Sequence, residues 1–386
     1  MSNRKGSLNL LISCLSFVAA TFGKAAVLAQ ASAPTVHLDP DIYGREGWVL
    51  QNGKIRVSLL RGGGHIADVR LVSDNPRLSI SPMYVPTGDG YVGHLVCFPH
   101  FGPASPEERA AGLRGHGEAG SVEWEQTRSP EIGADAITFF YGAELPKTQY
   151  RIERAVTLKT GSTSVRVEEW IENLAAYDRP YNRDQHATFG APFVSPGRNV
   201  LDISGTRGMT DPKRTAGGKW AEGQLFQWPD APRTDGSTVS LREFSAVPGN
   251  QVYTPVLADL SRPESWFTLH NTDYPLLVGY VFPTSDHPWI IDWQNQPRAE
   301  TTAGTARGIE FGTSPFDEGL RKSVERGQML GAPTYRFIAA KQRLSTTFAL
   351  FLAAVPAGFG GTQSVRMQDG KIIVTERGSG REFAGN

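Results

Sequence analysis

The chain has 386 residues, with 39 basic and 39 acidic side chains, 42 glycines, 26 prolines and two cysteines. Balanced charge excludes the strong fields that draw a protein to nucleic acid or to an anionic membrane surface. Two cysteines exclude a disulfide framework, so a large apolar core has to carry the stability.

Residues 1–33 read as an export signal. Arg4 and Lys5 form a basic start, LNLLISCLSFVAATF is apolar, and AAVLAQASA offers small-residue cleavage sites. This predicts a periplasmic or secreted protein. Leu11-Ile12-Ser13-Cys14 has the look of a lipoprotein box, but the apolar run continues well past Cys14. Removal of the segment takes Arg4, Lys5 and Lys24 with it and leaves 36 bases against 39 acids, a net charge near −3. No later segment has the ~20 apolar residues of a membrane span.

Strand signals then follow one another. GKIRVSLL (53–60) and HIADVRLV (65–72) alternate about Gly62-Gly63-Gly64. SVEWEQT, AITFFYGAEL, YRIERAVTL and SVRVEEWIENL predict an antiparallel meander from Ser121 to Leu174. TYRFIAAKQ and STTFALFLAAV read as a hairpin pair, GFGGT (358–362) as a linker, and MQDGKIIVTE as a hairpin turning at Asp369-Gly370. GSGREFAGN reads as a mobile tail. Helices are few. SPEERAAG (105–112) carries an N-cap Ser105, Pro106 at the first position and Glu108 closing a capping box. PFDEGLRKSVERG (315–327) predicts a second short helix. Many strands with short turns predict an all-β chain: one large antiparallel β-sandwich over 34–357, then a C-terminal hairpin and tail over 358–386.

Gly62-Gly63-Gly64-His65-Ile66-Ala67 fits a loose dinucleotide fingerprint, but a strand pattern follows where that motif needs a helix, so it reads as a hairpin turn. His116-Gly117-Glu118 offers two metal ligands without a third at a recognisable spacing. Three polar positions in turn-like surroundings remain. They are His116 in LRGHGEAG, His186 in DQHATFGAPF and Glu310 in RGIEFGTSPF. Each taken singly reads as a polar residue at a strand end.

As an ordered set, these segments resemble the aldose 1-epimerase (galactose mutarotase) family. His116-Gly117 with Trp124 is similar to its His-Gly motif, and Gln185-His186-Ala187-Thr188-Phe189 to its Asn-His-x-x-Phe motif. Glu310 with Pro315 is similar to its catalytic Glu followed by Pro, and the similarity runs over roughly residues 45–356. The resemblance implies a galactose mutarotase-like supersandwich and a sugar ring opened and reclosed without metal or organic cofactor. Glu310 would be the base on the O1 hydroxyl, His186 the acid on the ring oxygen O5, and His116 a support on the O5 side. An acid and a base are needed because ring opening removes one proton and adds another at the neighbouring oxygen.

Gln185 stands in for the family's Asn, and Asp292 or Asp230 for its sugar-binding Asp; sugar binding also needs flat apolar surfaces and polar rims, for which Trp293, Arg307 and Arg298 are candidates. Trp220, Trp228 and Trp289 are alternative sugar platforms. Where the family places an Asn-Arg pair, this chain has Pro99-His100, which casts His100 as a shorter donor. The expected partner is a carbohydrate, an aldose or an oligosaccharide end. Two rival readings stay open: a non-catalytic carbohydrate-binding sandwich, and a polysaccharide lyase using Tyr181, Arg183 and His186.

Overall fold

The computed structural model describes residues 33–88, 90–211, 220–247, 249, 251–297 and 304–385. All of the expected export signal but its last residue, including Cys14, lies outside them, as does Arg298.

Alternation builds the sandwich. In Ser164–Asn173, Val165, Val167, Glu169 and Ile171 point inward. Its partner Tyr150–Lys159 points Ile152, Arg154, Val156 and Leu158 the same way. With Ala136–Leu145 and Glu125–Ile132 these strands form the predicted meander. It makes up half of an antiparallel sheet that continues through Arg343–Ala354, Leu276–Pro283, Glu264–Asn271 and Asn199–Ile203. A second sheet of eleven described strands runs from Thr35–Ile42 at one edge to Leu225–Gln227 at the other. At its centre lie His94–Cys97, Asp184–Gly190, Ala306–Gly312, Trp289–Asn295 and Gln251–Ala258, in that spatial order. The two sheets share one core, in which Val57, Phe189, Ile309 and Phe311 meet Phe139, Val167, Phe267, Tyr280 and Leu350. Burying side chains of this size stabilises by about 1.5–3 kcal/mol each.

The larger sheet also buries part of its far face. Leu95, Cys97, Tyr253, Leu257, Trp289 and Ile291 form a second apolar cluster there under Phe101, Phe316 and Met329. Both short helices serve this side. Pro106–Ala110 has the Ser105 capping box, and Leu320–Arg326 begins after Gly319.

Two expectations are corrected. Residues 334–342 do not form a hairpin with 345–355. Arg343–Ala354 is already paired on both edges, by Leu276–Pro283 and Ser164–Asn173. Arg336–Ile338 therefore pairs with Arg179–Tyr181 instead. The expected tail holds a third strand, Glu382–Gly385, on the Asp369-Gly370 hairpin. Arg366 pairs with Glu382 and Arg381 with Glu376, while Phe383 meets Phe359.

The sandwich interior contains an ion pair. Arg154 Nε donates to Glu169 Oε2 at 2.8 Å, and neither side chain has any exposure. Gln185 reaches in from the facing sheet and completes the pair. Its Oε1 accepts from Arg154 Nη2 at 3.0 Å and its Nε2 donates to Glu169 Oε1 at 2.9 Å. His94 Nε2 stands 2.9 Å from the same Gln185 oxygen, and Tyr280 backs its other nitrogen at 3.1 Å. Breaking a buried pair leaves one charge uncompensated, so Arg154→Met should cost about 3–5 kcal/mol of stability in urea denaturation. Arg154→Met with Glu169→Leu should recover much of that loss; a single variant as stable as the parent would contradict the account.

Candidate functional site

The site follows from strand register. Asp184–Gly190 and Ala306–Gly312 run antiparallel, with His186 directly opposite Glu310. Side chains alternate along each strand. Ala187, Phe189, Ile309 and Phe311 enter the sandwich core, which puts His186, Thr188, Gly308 and Glu310 on the far face of the sheet. The next strand sets Trp293 beside Gly308 and Ile291 beside Glu310.

His186 Nε2 lies 3.2 Å from Glu310 Oε1. Its Nδ1 lies 2.9 Å from Thr188 Oγ1. Three rings stand round it edge-on: Tyr91 at 5.3 Å, His116 at 5.6 Å and Trp293 at 6.1 Å between centroids. His186 is 6% exposed and Glu310 1%. Burial pushes the His186 imidazole down to about 3, helped by the charge of His116. Burial also raises the Tyr91 phenol, as does the Glu310 charge, while a hydrogen bond to Thr188 opposes them. With its proton on Nε2, neutral His186 would accept at Nδ1 from the Thr188 hydroxyl and turn a donor towards Glu310.

His116 comes from the loop after the first helix, and its backbone is left-handed at φ 65°. Such a conformation in a non-glycine residue costs roughly 1–2 kcal/mol and needs support. Backbone hydrogen bonds supply it: His116 N to Gly102 O at 2.8 Å, and Glu118 N to Phe98 O at 2.9 Å. Gly117 must be glycine, because a Cβ there would lie 2.2 Å from Phe98 O. His116 Nδ1 stands 3.4 Å from Cys97 Sγ.

The structure thus brings together His186, Glu310, His116 and Trp293. It separates the other expected contacts. Gln185 has the opposite phase to His186 and is held inside the sandwich by Arg154, Glu169 and His94. Asp292 and Arg307 also face inward, where Arg307 Nε donates to Asp292 Oδ1 at 2.8 Å and Nη2 to Leu241 O at 2.6 Å. His100 is buried beneath the His116 loop, with Nε2 3.1 Å from the Gly117 amide and 3.0 Å from Arg114 O. It braces the loop instead of facing a ligand, and burial lowers its basicity against the pull of Glu108.

The remaining candidates also lie elsewhere. Asp230 is exposed on a small hairpin. Trp220 joins the main core, Trp228 packs against it, and Trp289 joins the second cluster. Tyr181 is core, and Arg183 lies 3.9 Å from Glu169, so the Tyr181–Arg183–His186 trio does not converge. Glu118, the second metal-ligand candidate, accepts from the Lys147 and Thr148 amides and the Thr148 hydroxyl. Sequence reasoning missed Thr188, Gly308, Tyr91 and Cys97. Strand alternation alone would have supplied two of them, since Thr188 lies two residues beyond His186 and Gly308 two before Glu310.

Burial has a measurable consequence. His65 and His270 are pushed down to about 4, and His94 and His287 well below the ordinary histidine value, in each case by burial first. With His186, these side chains stay neutral in the fold while the unfolded chain takes up protons below about pH 6.5. Stability is therefore full above that value and lost as pH falls, at about 1.4 kcal/mol per pH unit for each histidine. Buried Asp184 is raised and works in the opposite sense. Urea midpoints should fall steeply from pH 7 to pH 5, and His270→Gln should flatten the fall; a pH-independent midpoint would refute this.

No family model matches the chain, and no curated protein matches it by sequence. Solved structures do. A galactose mutarotase-like protein from Clostridium acetobutylicum is 11% identical with a TM-score of 0.58, over 84% of this chain and 99% of that one. Another from Lactobacillus casei is 13% identical with a TM-score of 0.53, over 79% and 99%. A candidate aldose 1-epimerase from Escherichia coli K12 is 12% identical with a TM-score of 0.55, over 83% and 100%. At these identities the likeness concerns architecture, and the chain has the fold of the galactose mutarotase-like proteins.

Proposed function

We propose that this protein is an aldose-1-epimerase-like enzyme that interconverts sugar anomers by acid–base ring opening. The observation that carries the reading is the 3.2 Å approach of His186 Nε2 to Glu310 Oε1 on the face that also presents His116 and Trp293. The two oxygens on an anomeric carbon are close neighbours. A base for one and an acid for the other must therefore also be close neighbours. Glu310 takes the proton from O1–H as the C1–O5 bond breaks and C1=O1 forms. His186 gives its Nε2 proton to O5. Rotation about C1–C2 turns the carbonyl; as the other anomer closes, His186 takes its proton back from O5–H and Glu310 returns its proton to O1. Trp293 offers an aromatic face for the sugar ring, and His116 a polar contact on the O5 side. The names borne by the structural neighbours fit a carbohydrate substrate, and the basic-apolar leader fits a periplasmic or secreted location.

Donation to O5 requires the imidazolium form, which burial disfavours. The working acid is then a minority species at neutral pH. Its share grows tenfold per unit as pH falls towards the lowered value, provided Glu310 stays ionised.

Saturation-transfer NMR on a panel of free aldoses tests the proposal. Purified protein should speed α/β exchange of at least one sugar, and His186→Ala and Glu310→Gln should each lower kcat/KM by about 10²–10⁴-fold. No acceleration of any aldose would sink the reading. The rate should also rise as pH falls from 8 to below 6.5, because the lowered His186 value puts its proton-rich form on the acid side. A flat profile across that range would remove His186 as the acid.

A further inference from the structure

We infer that Thr188 positions the acid of the site: its hydroxyl holds the Nδ1 edge of His186 in both protonation states, donating to the neutral ring and accepting from the imidazolium. The inference deepens the ring-opening reading and rests on it. Thr188 lies two residues beyond His186 on the strand Asp184–Gly190, so the two side chains leave the same face as neighbours. Thr188 is fully buried, and its Oγ1 stands 2.9 Å from Nδ1. Glu310 stands 3.2 Å from the other ring nitrogen. His116 and Tyr91 meet the ring edge-on, and its own backbone carbonyl favours the charged form.

Ring opening makes a particular demand on the group at Nδ1. The proton that His186 gives to O5 leaves from Nε2. Nδ1 therefore keeps its proton through the working cycle and needs an acceptor. At rest the ring is neutral, and with its proton on Nε2 the bare Nδ1 needs a donor. A buried donor or acceptor left without a partner forfeits its desolvation cost. A carboxylate at this position could only accept, and a backbone amide could only donate. A hydroxyl does either by turning its hydrogen. Tyr91 gives that hydrogen a place to go. Its phenol hydrogen-bonds Thr188 and is kept protonated by burial. A phenol oxygen also both donates and accepts. With the neutral ring the chain runs from Tyr91 to Thr188 to His186. With the imidazolium it runs from His186 Nδ1–H to Thr188 to Tyr91. Neither hydroxyl loses its proton; two O–H bonds rotate, and the added proton is the one the imidazole takes up at Nδ1.

Two variants test this. Thr188→Val keeps the shape and removes the hydroxyl, and Thr188→Ser keeps the hydroxyl; thermal unfolding checks that each folds. For the aldose the wild type converts fastest, Thr188→Val should lower kcat by roughly 10–100-fold with KM little changed, the worth of a hydrogen bond to a charged group. Thr188→Ser should keep most of the wild-type kcat. Wild-type kcat in Thr188→Val, or equal losses in both variants, overturns the inference. A second readout needs no turnover. It is nitrogen NMR at neutral pH on protein with isotope-labelled histidine, the His186 signals being identified by their loss in His186→Gln. Nδ1 should show the shift of an imine nitrogen that receives a hydrogen bond, and Thr188→Val should move it to the unbonded value. A wild-type Nδ1 without a hydrogen bond, or one that Thr188→Val leaves unmoved, overturns the inference whether or not any sugar is converted. A wild type inactive on every aldose sinks the ring-opening reading, and the hold of Thr188 on Nδ1 then stands or falls by the spectrum. Should Thr188→Val fail to fold, the wild-type spectrum decides.

Discussion

The site depends on one constraint, the phase of the strand Asp184–Gly190. A slip of a single residue would turn His186 into the core and Gln185 out of it. Gln185 prevents that slip. Its amide is the piece that completes the Arg154–Glu169 pair from the opposite sheet, and the pair has no exposure. An outward Gln185 would take from Arg154 Nη2 and Glu169 Oε1 the partner that each has in its amide. A buried ion pair adds little to stability on average, but removing one of its partners is strongly destabilising. Behind the sheet, charge fixes the strand; in front of it, the consequence is that His186 meets Glu310.

The second half of the site is built differently. His116 is not on a strand, and its left-handed backbone is held by a layer of loop hydrogen bonds above the sheet. His100 lies beneath that layer against Gly117 and Arg114. The departure that made His100 a ligand candidate therefore has a structural meaning. The chain uses a buried imidazole to shape the loop that presents His116. Burial then acts on His186 itself, making it a weak base held neutral between Thr188 and Glu310.

Much of this was legible in the sequence. Alternation in the segments from Ser121 to Leu174 marked a meander, and its strands pair in that order. Ser105, Pro106 and Glu108 marked a capped helix, and the capping box is present. His116, His186 and Glu310 were named from short ordered motifs, and they meet on one face. What failed was the assignment of faces. Gln185 was expected as the stand-in for the family's Asn, Asp292 as its sugar-binding Asp and Arg307 as a hydroxyl or anion contact, and none of these expectations weighed strand phase. A strand sends neighbours to opposite sides, so the residues adjacent to site positions face away from the site. Inside the sandwich Gln185 bonds Arg154, Glu169 and His94, while Arg307 bonds Asp292 and the Leu241 carbonyl, an arrangement that depends on residues many positions away.

The sequence by itself determined the all-β class, the meander and the order of the chemically capable side chains, because period-two patterning and capping are local properties of the chain. Only the tertiary structure decided which of those side chains share a face and that His100 is a brace. Those outcomes follow from cross-strand register, from Gln185 reaching a charge pair on the facing sheet, and from loop hydrogen bonds, which couple residues no local pattern records together.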